Sequence, residues 1–535
     1  MNGSKILRRA LASVMLVSAM SAAPGIALAQ KRGGTLVQLT QPEPPTLASY
    51  LSTSGPIGQV TAKIYDGLFE YGFDMKPQPS LAESWIVAPD GKTITFKLRQ
   101  GVKFHDGKPF SSADVQFTIM EVLKKVHPRG INTFKEVTAV DTPDAQTAIF
   151  RLANAAPYML AALSGYESPI VPKHVYGTGD IRNHESANKP VGTGPFKFVE
   201  WRRGELVRLD RNPDYWRSGQ PYLDRIVVRF VPDSATRTAL LEKGDAHVAG
   251  FGAVPYNDVK RLAALPSLEV TTRGYEMISP VVEITINSKR APFDNVKVRQ
   301  AVSYAVNRKF AIDNVWFGFG RPATGAINSN FKASGLYSAD VRNYSVPNAV
   351  EMANKLLDEA GFPRKTDGIR FEMVHDITPY GEEWQRFGEA VQQQLAQVGI
   401  KATLRYEDVP TWLKRTYTDY DYFMTSNFLY NLADPVLGVH RSFHSGLIKQ
   451  GTVFVNGSRW SSPRTDELMN AASLEPDAAK RGAQYAELQK LTAEAAPIIW
   501  VHELLFPTIL NKRYKDVIVS PIGIYGAYNR AWLDR

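Results

Sequence analysis

The chain has 535 residues, a formal net charge of +10 and no cysteine. The lack of cysteine excludes disulfides, zinc–thiolate sites, iron–sulfur clusters and a lipidated N-terminal cysteine. Lysine and arginine are spread along the sequence without long runs, which argues against a nucleic-acid-binding surface. With 44% apolar residues, the chain has enough hydrophobic material for two or three domains.

The first 29 residues have the pattern of an export signal. Three basic residues precede an apolar run over 10–23, and Ala27-Leu28-Ala29 provides the small-residue spacing of a signal-peptidase site. We expect a signal peptide over 1–29, whose removal lowers the net charge from +10 to +7. Pro24 ends the apolar run short of the ~20 residues that a membrane span needs. Arg8-Arg9 would also suit a twin-arginine signal, but its polar flanks are missing, so we expect general secretion.

Strand and helix patterns alternate through the rest of the chain. Period-two alternation indicates strands, and apolar residues at spacings of three and four indicate helices. The predicted elements, in chain order, are strands at 35–40 and 93–98, a helix at 111–126, strands at 206–209, 226–231 and 281–286, helices at 295–306 and 350–357, a strand at 369–374, a helix at 382–398, a strand at 401–406, a helix at 478–495 and a strand at 497–501. This mixture without repeats or long linkers predicts an α/β fold with short crossings between domains.

A set of short motifs then occurs in a fixed order. They are Ile64-Tyr-Asp-Gly-Leu-Phe69, Pro79-Ser-Leu-Ala-Glu-Ser-Trp85, the stretch 92–107, Gly192-Thr-Gly-Pro-Phe196, Asn212-Pro-Asp-Tyr-Trp216, the stretch 296–301 and the stretch 356–361. Each motif alone is weak. The ordered set closely resembles the large periplasmic solute-binding proteins of peptide, nickel and opine ABC importers (family 5), from about Gly33 to the C-terminus.

This resemblance implies a two-lobed, hinged periplasmic-binding-protein fold of type II with an extra inserted domain. The expected divisions are domain I over 30–73, 195–285 and 503–535, domain II over 74–194 and domain III over 286–502. A small molecule or oligopeptide would lie between domains I and III, without a cofactor and without catalysis. The expected protein is a monomer that delivers this ligand to an inner-membrane permease of two transmembrane subunits and two ATPases. Because an exported chain without a lipid tether diffuses away unless enclosed, we predict the periplasm.

The resemblance also places residues in the ligand cleft. Dipeptide-binding relatives hold the two peptide termini with an Asp and an Arg. The Asp position, four residues before the proline of Asp434-Pro435, holds Asn431 here, and the Arg position before Pro379-Tyr380 holds Thr378. A buried zwitterion would then lack compensating charge. We therefore hypothesise a longer peptide, an opine-like conjugate or a neutral polyol or sugar rather than a simple dipeptide.

Other candidate ligand contacts complete the predicted site. Phe428 is expected to be a stacking wall, beside Tyr430, and Thr53 and Ser54 lie in the segment of domain I that faces the ligand in relatives. We add Arg386 and Asp434 to this set. In an alternative that stays open, charged side chains elsewhere replace the missing clamp; the candidates are Asp376, Glu382, Glu383, Arg386 and Arg441.

Three other functions compete with solute binding as interpretations of the sequence. His440 and His444 could share one helical face, which would suit a carrier of nickel or a metal complex, but no third ligand is adjacent, so we predict no metal site. A hydrolase is disfavoured because the sequence lacks a Gly-x-Ser-x-Gly elbow, a His-Glu-x-x-His helix and cysteine. A periplasmic peptide-holding chaperone remains a possible second role.

Overall fold

The computed structural model of the chain describes residues 32–535. The predicted signal peptide and its cleavage site lie outside these residues. Within 32–535, none of the helices combines the length and the hydrophobicity that a membrane crossing requires. The strands and helices predicted from the sequence are confirmed, with ends shifted by at most three residues. The predicted start of the first long helix is also confirmed, since the Ser111 backbone N–H donates to Asp114 Oδ2 at 2.9 Å.

The first lobe is built on a seven-stranded sheet. Its spatial order is Leu268–Thr271, Thr508–Asn511, Val248–Ala249, Thr35–Leu39, Arg225–Arg229, Leu206–Arg211 and Phe196–Arg202. The central strand Thr35–Leu39 pairs in parallel with both of its neighbours. Its helices are Gly55–Thr61, Ser234–Lys243, Tyr256–Ala263 and the 3-10 turn Gly523–Tyr525. The strands come from both ends of the chain, so this lobe is discontinuous in sequence.

The second lobe is built on a six-stranded sheet. Its spatial order is Gly320–Pro322, Ile498–Leu504, Pro280–Ile286, Met424–Tyr430, Phe371–Ile377 and Ile400–Tyr406. Every residue of Pro280–Ile286 and of Ile498–Leu504 is buried, as expected of central strands covered on both faces. The chain therefore crosses between the lobes before Pro280 and after Leu504. The predicted boundaries at 285/286 and 502/503 fall inside these two strands.

Helices cover both faces of this second sheet. They are Val296–Ala305, Arg308–Phe310, the π-helix Ala311–Val315, the 3-10 turn Ser329–Lys332, Ala349–Glu359, Glu382–Gln397, Val409–Leu413, the π-helix Lys414–Asp419, Pro435–Gly438, His440–Phe443, the 3-10 turn Ser445–Leu447, Pro463–Leu474 and Ala478–Ala495. Gly399 follows the helix Glu382–Gln397 with φ +80°, the left-handed conformation that ends helices and favours glycine.

The inserted domain carries a four-stranded antiparallel sheet. Its spatial order is Ala82–Val87, Thr93–Leu98, Thr147–Leu152 and Val137–Asp144. Its helical segments are Ser112–Gln116, the π-helix Phe117–Leu123, Lys124–Val126, Gly130–Thr133, Lys173–Tyr176 and the 3-10 turns Pro157–Leu163, Ile181–Asn183 and Glu185–Asn188. Two ribbons complete the fold, Phe69–Tyr71 with Pro77–Pro79 and Tyr514–Lys515 with Trp532–Leu533. The predicted two-lobed α/β fold with an inserted domain is confirmed.

Candidate ligand-binding cleft

The cleft lies where the carboxyl ends of parallel strands in the two large sheets face each other. In the first lobe, Phe251 follows the strand Val248–Ala249. In the second lobe, Phe428 lies near the end of the strand Met424–Tyr430. The ring centroids of Phe251 and Phe428 are 6.2 Å apart across the cleft. Ligands of open α/β sheets bind at this edge of the strands, so the topology itself indicates the site.

Phe428 is the centre of an aromatic cluster drawn from both lobes. Its ring stacks on Trp384 with a centroid distance of 5.5 Å and meets Tyr380 edge-on at 5.9 Å. Phe506, on the crossing after the strand Ile498–Leu504, lies 6.1 Å away. The Phe428 side chain is half-buried rather than sealed in the core. Its placement is compatible with the predicted stacking wall.

Tyrosines from all three parts of the molecule meet beside this cluster. Tyr430 Oη in the second lobe lies 3.4 Å from Tyr525 Oη in the first. The Tyr525 ring lies 4.9 Å from the ring of Tyr166, which belongs to the inserted domain. Burial raises the pKa of Tyr430 and Tyr525 well above the usual value, so both phenols stay neutral. The inserted domain thus contributes to the cleft, which the sequence did not indicate.

Asn431 and Asp434 are both engaged by the protein. Asn431 Oδ1 accepts from the Asn328 backbone N–H at 2.6 Å, and Asn431 Nδ2 donates to the Ala326 carbonyl at 3.2 Å. The Asp434 carboxylate accepts from Arg481 Nη1 and Nη2 at 2.9 and 2.8 Å. These contacts hold loops of the second lobe together. The ligand contacts predicted for these two residues stay predictions.

The neutral candidates lie on both sides of the cleft. Thr378 follows the strand Phe371–Ile377 and is buried, and its Oγ1 has no hydrogen-bond partner within residues 32–535. Ser54 is the N-cap of the helix Gly55–Thr61, but its hydroxyl makes no capping bond. Ser54 and Thr53 line a small pocket together with Arg129 and Tyr166. These hydroxyls therefore remain available as hydrogen-bonding groups.

Three of the alternative charged groups already have charged partners within the protein. Arg386 is exposed and forms an ion pair with Glu382 at 3.0 Å. Asp376 is buried and binds the Arg405 guanidinium through both carboxylate oxygens, at 2.6 and 2.9 Å. Arg386, Glu382 and Asp376 are thus paired in the unliganded protein, and the ligand contact predicted for Arg386 stays a prediction. Arg441 and Glu383 remain from that set.

Arg441 is the remaining cation of the alternative set. Its Nε donates to the Gly438 carbonyl at 3.0 Å and its Nη2 to the Tyr430 carbonyl at 3.2 Å. Within residues 32–535, no acidic oxygen lies within 4 Å of this guanidinium, so it has no salt bridge. Burial, and then the charge of Arg129, lower its pKa to about 10. Arg441 nevertheless keeps part of its surface accessible.

Two carboxyl groups near the cleft have raised pKa values. Burial raises the pKa of Glu283 to about 7, although the Thr285 hydroxyl donates to its Oε1 at 3.2 Å and Arg441 attracts its charged form. Burial likewise raises the pKa of Glu383 to about 7. A Cβ placed on Gly252 of the first lobe would lie 3.9 Å from Glu383 Oε1. Glu383 therefore faces the opposite lobe.

The two histidines considered for a metal have separate partners. His440 Nε2 lies 2.9 Å from Tyr485 Oη, and His444 Nε2 lies 3.3 Å from Asn470 Oδ1. Over residues 32–535 there is no group of three or more potential metal-ligating side chains. The geometry thus gives no support to a metal carrier.

Comparison with known proteins agrees with this architecture. Residues 76–449 match the model of the bacterial extracellular solute-binding proteins, family 5. The glutathione-binding protein GsiB of Salmonella typhi is 31% identical over 411 residues, which cover 75% of this chain and 74% of GsiB.

Two solved structures extend the likeness over nearly the whole chain. The oligopeptide-binding protein AppA of Bacillus subtilis, in complex with a nonapeptide, is 25% identical with a TM-score of 0.83, over 95% of this chain and 100% of AppA. The binding protein AgaA of A. tumefaciens R10, in complex with agropinic acid, is 27% identical with a TM-score of 0.78, over 94% and 99%. The chain therefore belongs to family 5 of the bacterial extracellular solute-binding proteins, and it is the substrate-binding component of an ABC importer.

Proposed function

We propose that the chain binds a short peptide or a peptide-like acid between its lobes and that Arg441 receives a carboxylate of this ligand. The observation that carries the proposal is the partly buried guanidinium of Arg441, which no acidic oxygen within residues 32–535 approaches to within 4 Å, while Glu283 and Glu167 act on it from farther away. A charge held away from water is costly unless an opposite charge compensates it. A ligand carboxylate would supply that charge and could accept two parallel hydrogen bonds from the guanidinium.

The ligands named for the relatives support this choice. GsiB is named for glutathione, AppA was solved with a nonapeptide and AgaA with agropinic acid. Each of these molecules carries at least one carboxylate. A neutral sugar or polyol, which the sequence left open, would give Arg441 no direct ion pair.

The charges of the dipeptide clamp are therefore supplied differently in this chain. Thr378 and Asn431 are neutral, but Arg441 and Glu383 lie at the same cleft. We propose that Arg441 meets the carboxyl end and that Glu383, when ionised, meets the amine of the ligand. Phe428 and Trp384 then provide the apolar walls between the two charged ends.

Titration calorimetry tests this assignment with three probes: glutathione, trialanine and trialanine amide. The chain has no cysteine, so glutathione cannot form a mixed disulfide with it. We expect trialanine to bind more tightly than its amide, and we expect Arg441→Gln to remove this difference. Arg386→Gln is the matched control, since Arg386 is exposed and paired with Glu382, and it should keep the wild-type difference. Equal affinity of the acid and the amide for the wild-type protein would contradict the proposal.

The remaining features of the expected protein are proposals of the same kind. We infer that it works in the periplasm as a monomer and does not convert its ligand chemically. We also keep the division into domains I, II and III, with the crossings moved to the ends of the strands Pro280–Ile286 and Ile498–Leu504. Fractionation of cells and mass spectrometry of ligand recovered after binding would test the location and the lack of turnover.

A further inference from the structure

The inserted domain packs against the second lobe close to Arg441. Its 3-10 turn Pro157–Leu163 lies against the helix Pro435–Gly438 of the second lobe, and Tyr158 in this turn is fully buried. The last residue of the same helix holds Arg441, whose Nε donates to the Gly438 carbonyl at 3.0 Å. Side chains of the inserted domain are therefore near the cation to which the ligand carboxylate is assigned.

Arg129 and Glu167 form a buried ion pair in this part of the inserted domain. Arg129 Nε donates to Glu167 Oε2 at 3.0 Å, and Arg129 Nη2 donates to Glu167 Oε1 at 2.6 Å. The two side chains are 8% and 5% exposed. Two parallel hydrogen bonds between a guanidinium and a carboxylate make a strong and geometrically specific pair. The pair as a whole is therefore electrically neutral.

A continuous set of aromatic contacts connects this ion pair with Arg441. The Arg129 guanidinium lies 5.9 Å from the centroid of the Tyr166 ring, which lies 4.9 Å from the ring of Tyr525. Tyr525 Oη is 3.4 Å from Tyr430 Oη, and the Tyr430 carbonyl accepts from Arg441 Nη2 at 3.2 Å. Because such buried surroundings screen charges less than water does, the ion pair and Arg441 can influence each other.

The two charges of the pair act on Arg441 in opposite directions. Burial is the main cause of the lowered pKa of Arg441; the Arg129 charge lowers this pKa further, and the Glu167 charge raises it. Without Arg129, Glu167 would be a lone buried carboxylate that stabilises the charge of Arg441 in place of a ligand. Without Glu167, Arg129 would add a second uncompensated cation.

We propose that Arg129 is a positioning residue of the binding site: by neutralising Glu167 in the bidentate pair, it leaves the charge of Arg441 to be compensated by a ligand carboxylate. The inserted domain thereby sets how strongly the cleft prefers an acid to its neutral analogue. This inference rests on the proposed function, which assigns the carboxylate to Arg441.

The test is the ratio of the affinities for trialanine and trialanine amide, measured by calorimetry. Both probes carry the same amine and side chains, so the ratio reports the carboxylate alone. We expect Arg129→Gln to lower the ratio at least about fivefold, the lower end of typical coupling between sites. Glu167→Gln should raise the ratio by a similar factor. The double variant contains a neutral pair again and should keep the wild-type ratio.

Arg464→Gln is the matched control. It breaks another bidentate Arg–Glu pair, with Glu487 at 2.8 and 2.9 Å, and it changes the net charge by the same amount. This pair is exposed, at 47% and 44%, and is therefore screened by solvent, so the ratio should not change. If one of the single variants does not fold, the other decides, because the two are expected to shift the ratio in opposite directions.

The outcomes separate this inference from the proposed function. Equal affinity of the wild-type protein for acid and amide would contradict the proposed function and this inference with it. A wild-type protein that prefers the acid, together with Arg129→Gln and Glu167→Gln variants of unchanged ratio, would overturn the role of Arg129 alone, since a purely structural ion pair affects both probes equally. A shift of both single variants in the same direction would likewise overturn it.

Discussion

Replacing Asp434 by asparagine should destabilise the second lobe far more than it weakens ligand binding. The Asp434 carboxylate makes two hydrogen bonds to Arg481, at 2.8 and 2.9 Å, and both side chains are at most 10% exposed. Its Oδ1 also accepts from the Val436 backbone N–H at 2.9 Å, as the N-cap of Pro435–Gly438. Asparagine can keep the capping bond, but it cannot neutralise Arg481.

The expected loss in the free energy of unfolding follows from the burial of the Asp434–Arg481 ion pair. Removing one partner of a buried ion pair costs about 3–5 kcal/mol, because the other charge stays buried without compensation. Asp477→Asn is a matched control: Asp477 is also an N-cap aspartate, of Ala478–Ala495, but it is exposed and has no ion pair within residues 32–535. Since Asn and Asp cap helices about equally well, the control should change the free energy of unfolding by less than about 0.5 kcal/mol.

Urea unfolding of the three proteins, followed by tryptophan fluorescence, measures this difference. We expect the transition midpoint to fall clearly for Asp434→Asn and to stay close to wild type for Asp477→Asn. In the absence of urea, where Asp434→Asn is folded, its affinity for trialanine should stay close to that of the wild type. An unchanged midpoint combined with a large loss of affinity would refute this reasoning and would support a direct ligand contact by Asp434.

Two further predictions concern the cleft itself. Phe428→Ala removes ring contacts to Phe251 and Phe506, each worth about 0.5–1.5 kcal/mol beyond the buried area. Calorimetry should therefore show peptide binding weakened by about 5–150-fold. An unchanged affinity would contradict a role of Phe428 in lobe closure. The pH dependence of binding should separate two carboxyl groups whose pKa is about 7. A ligand amine at Glu383 favours the ionised form, so this group strengthens binding as the pH rises from 6 to 8. A ligand carboxylate at Arg441 raises the pKa of Glu283, so this group weakens binding over the same range. Affinity should therefore increase more with pH in Glu283→Gln than in the wild type and less in Glu383→Gln, and the reverse order of slopes would exclude the proposed arrangement.

The elements of the fold could be predicted because their signals are local. The strand Thr93–Leu98 alternates buried with partly or fully exposed side chains at the period read from its sequence, and the helix Ala478–Ala495 has the predicted ends. The positions at which the chain crosses between the lobes were predicted less accurately. Pro280–Ile286 pairs with strands that are distant in sequence, and a single sequence gives no direct indication of which sheet a buried strand joins.

The site was harder to predict because its side chains form contacts with residues that are distant in the sequence. The position of Asn431 in the motif suggested a ligand contact, but its amide bonds to the backbone about a hundred residues away, at Ala326 and Asn328. Arg441 was only one of several charged alternatives, and its lack of an acidic partner is visible only in three dimensions. Tyr166 lies in the inserted domain, where no motif indicated a ligand contact.

The absence of cysteine makes one direct test of lobe closure practical. Lys260 and Glu389 are exposed, on the helices Tyr256–Ala263 of the first lobe and Glu382–Gln397 of the second. Spin labels on Lys260→Cys and Glu389→Cys report the distance between the lobes by pulsed electron resonance. With saturating trialanine, we predict that a broad distribution of longer distances collapses to a single shorter one. A distance distribution unchanged by saturating ligand would contradict the claim that the two lobes close around their solute.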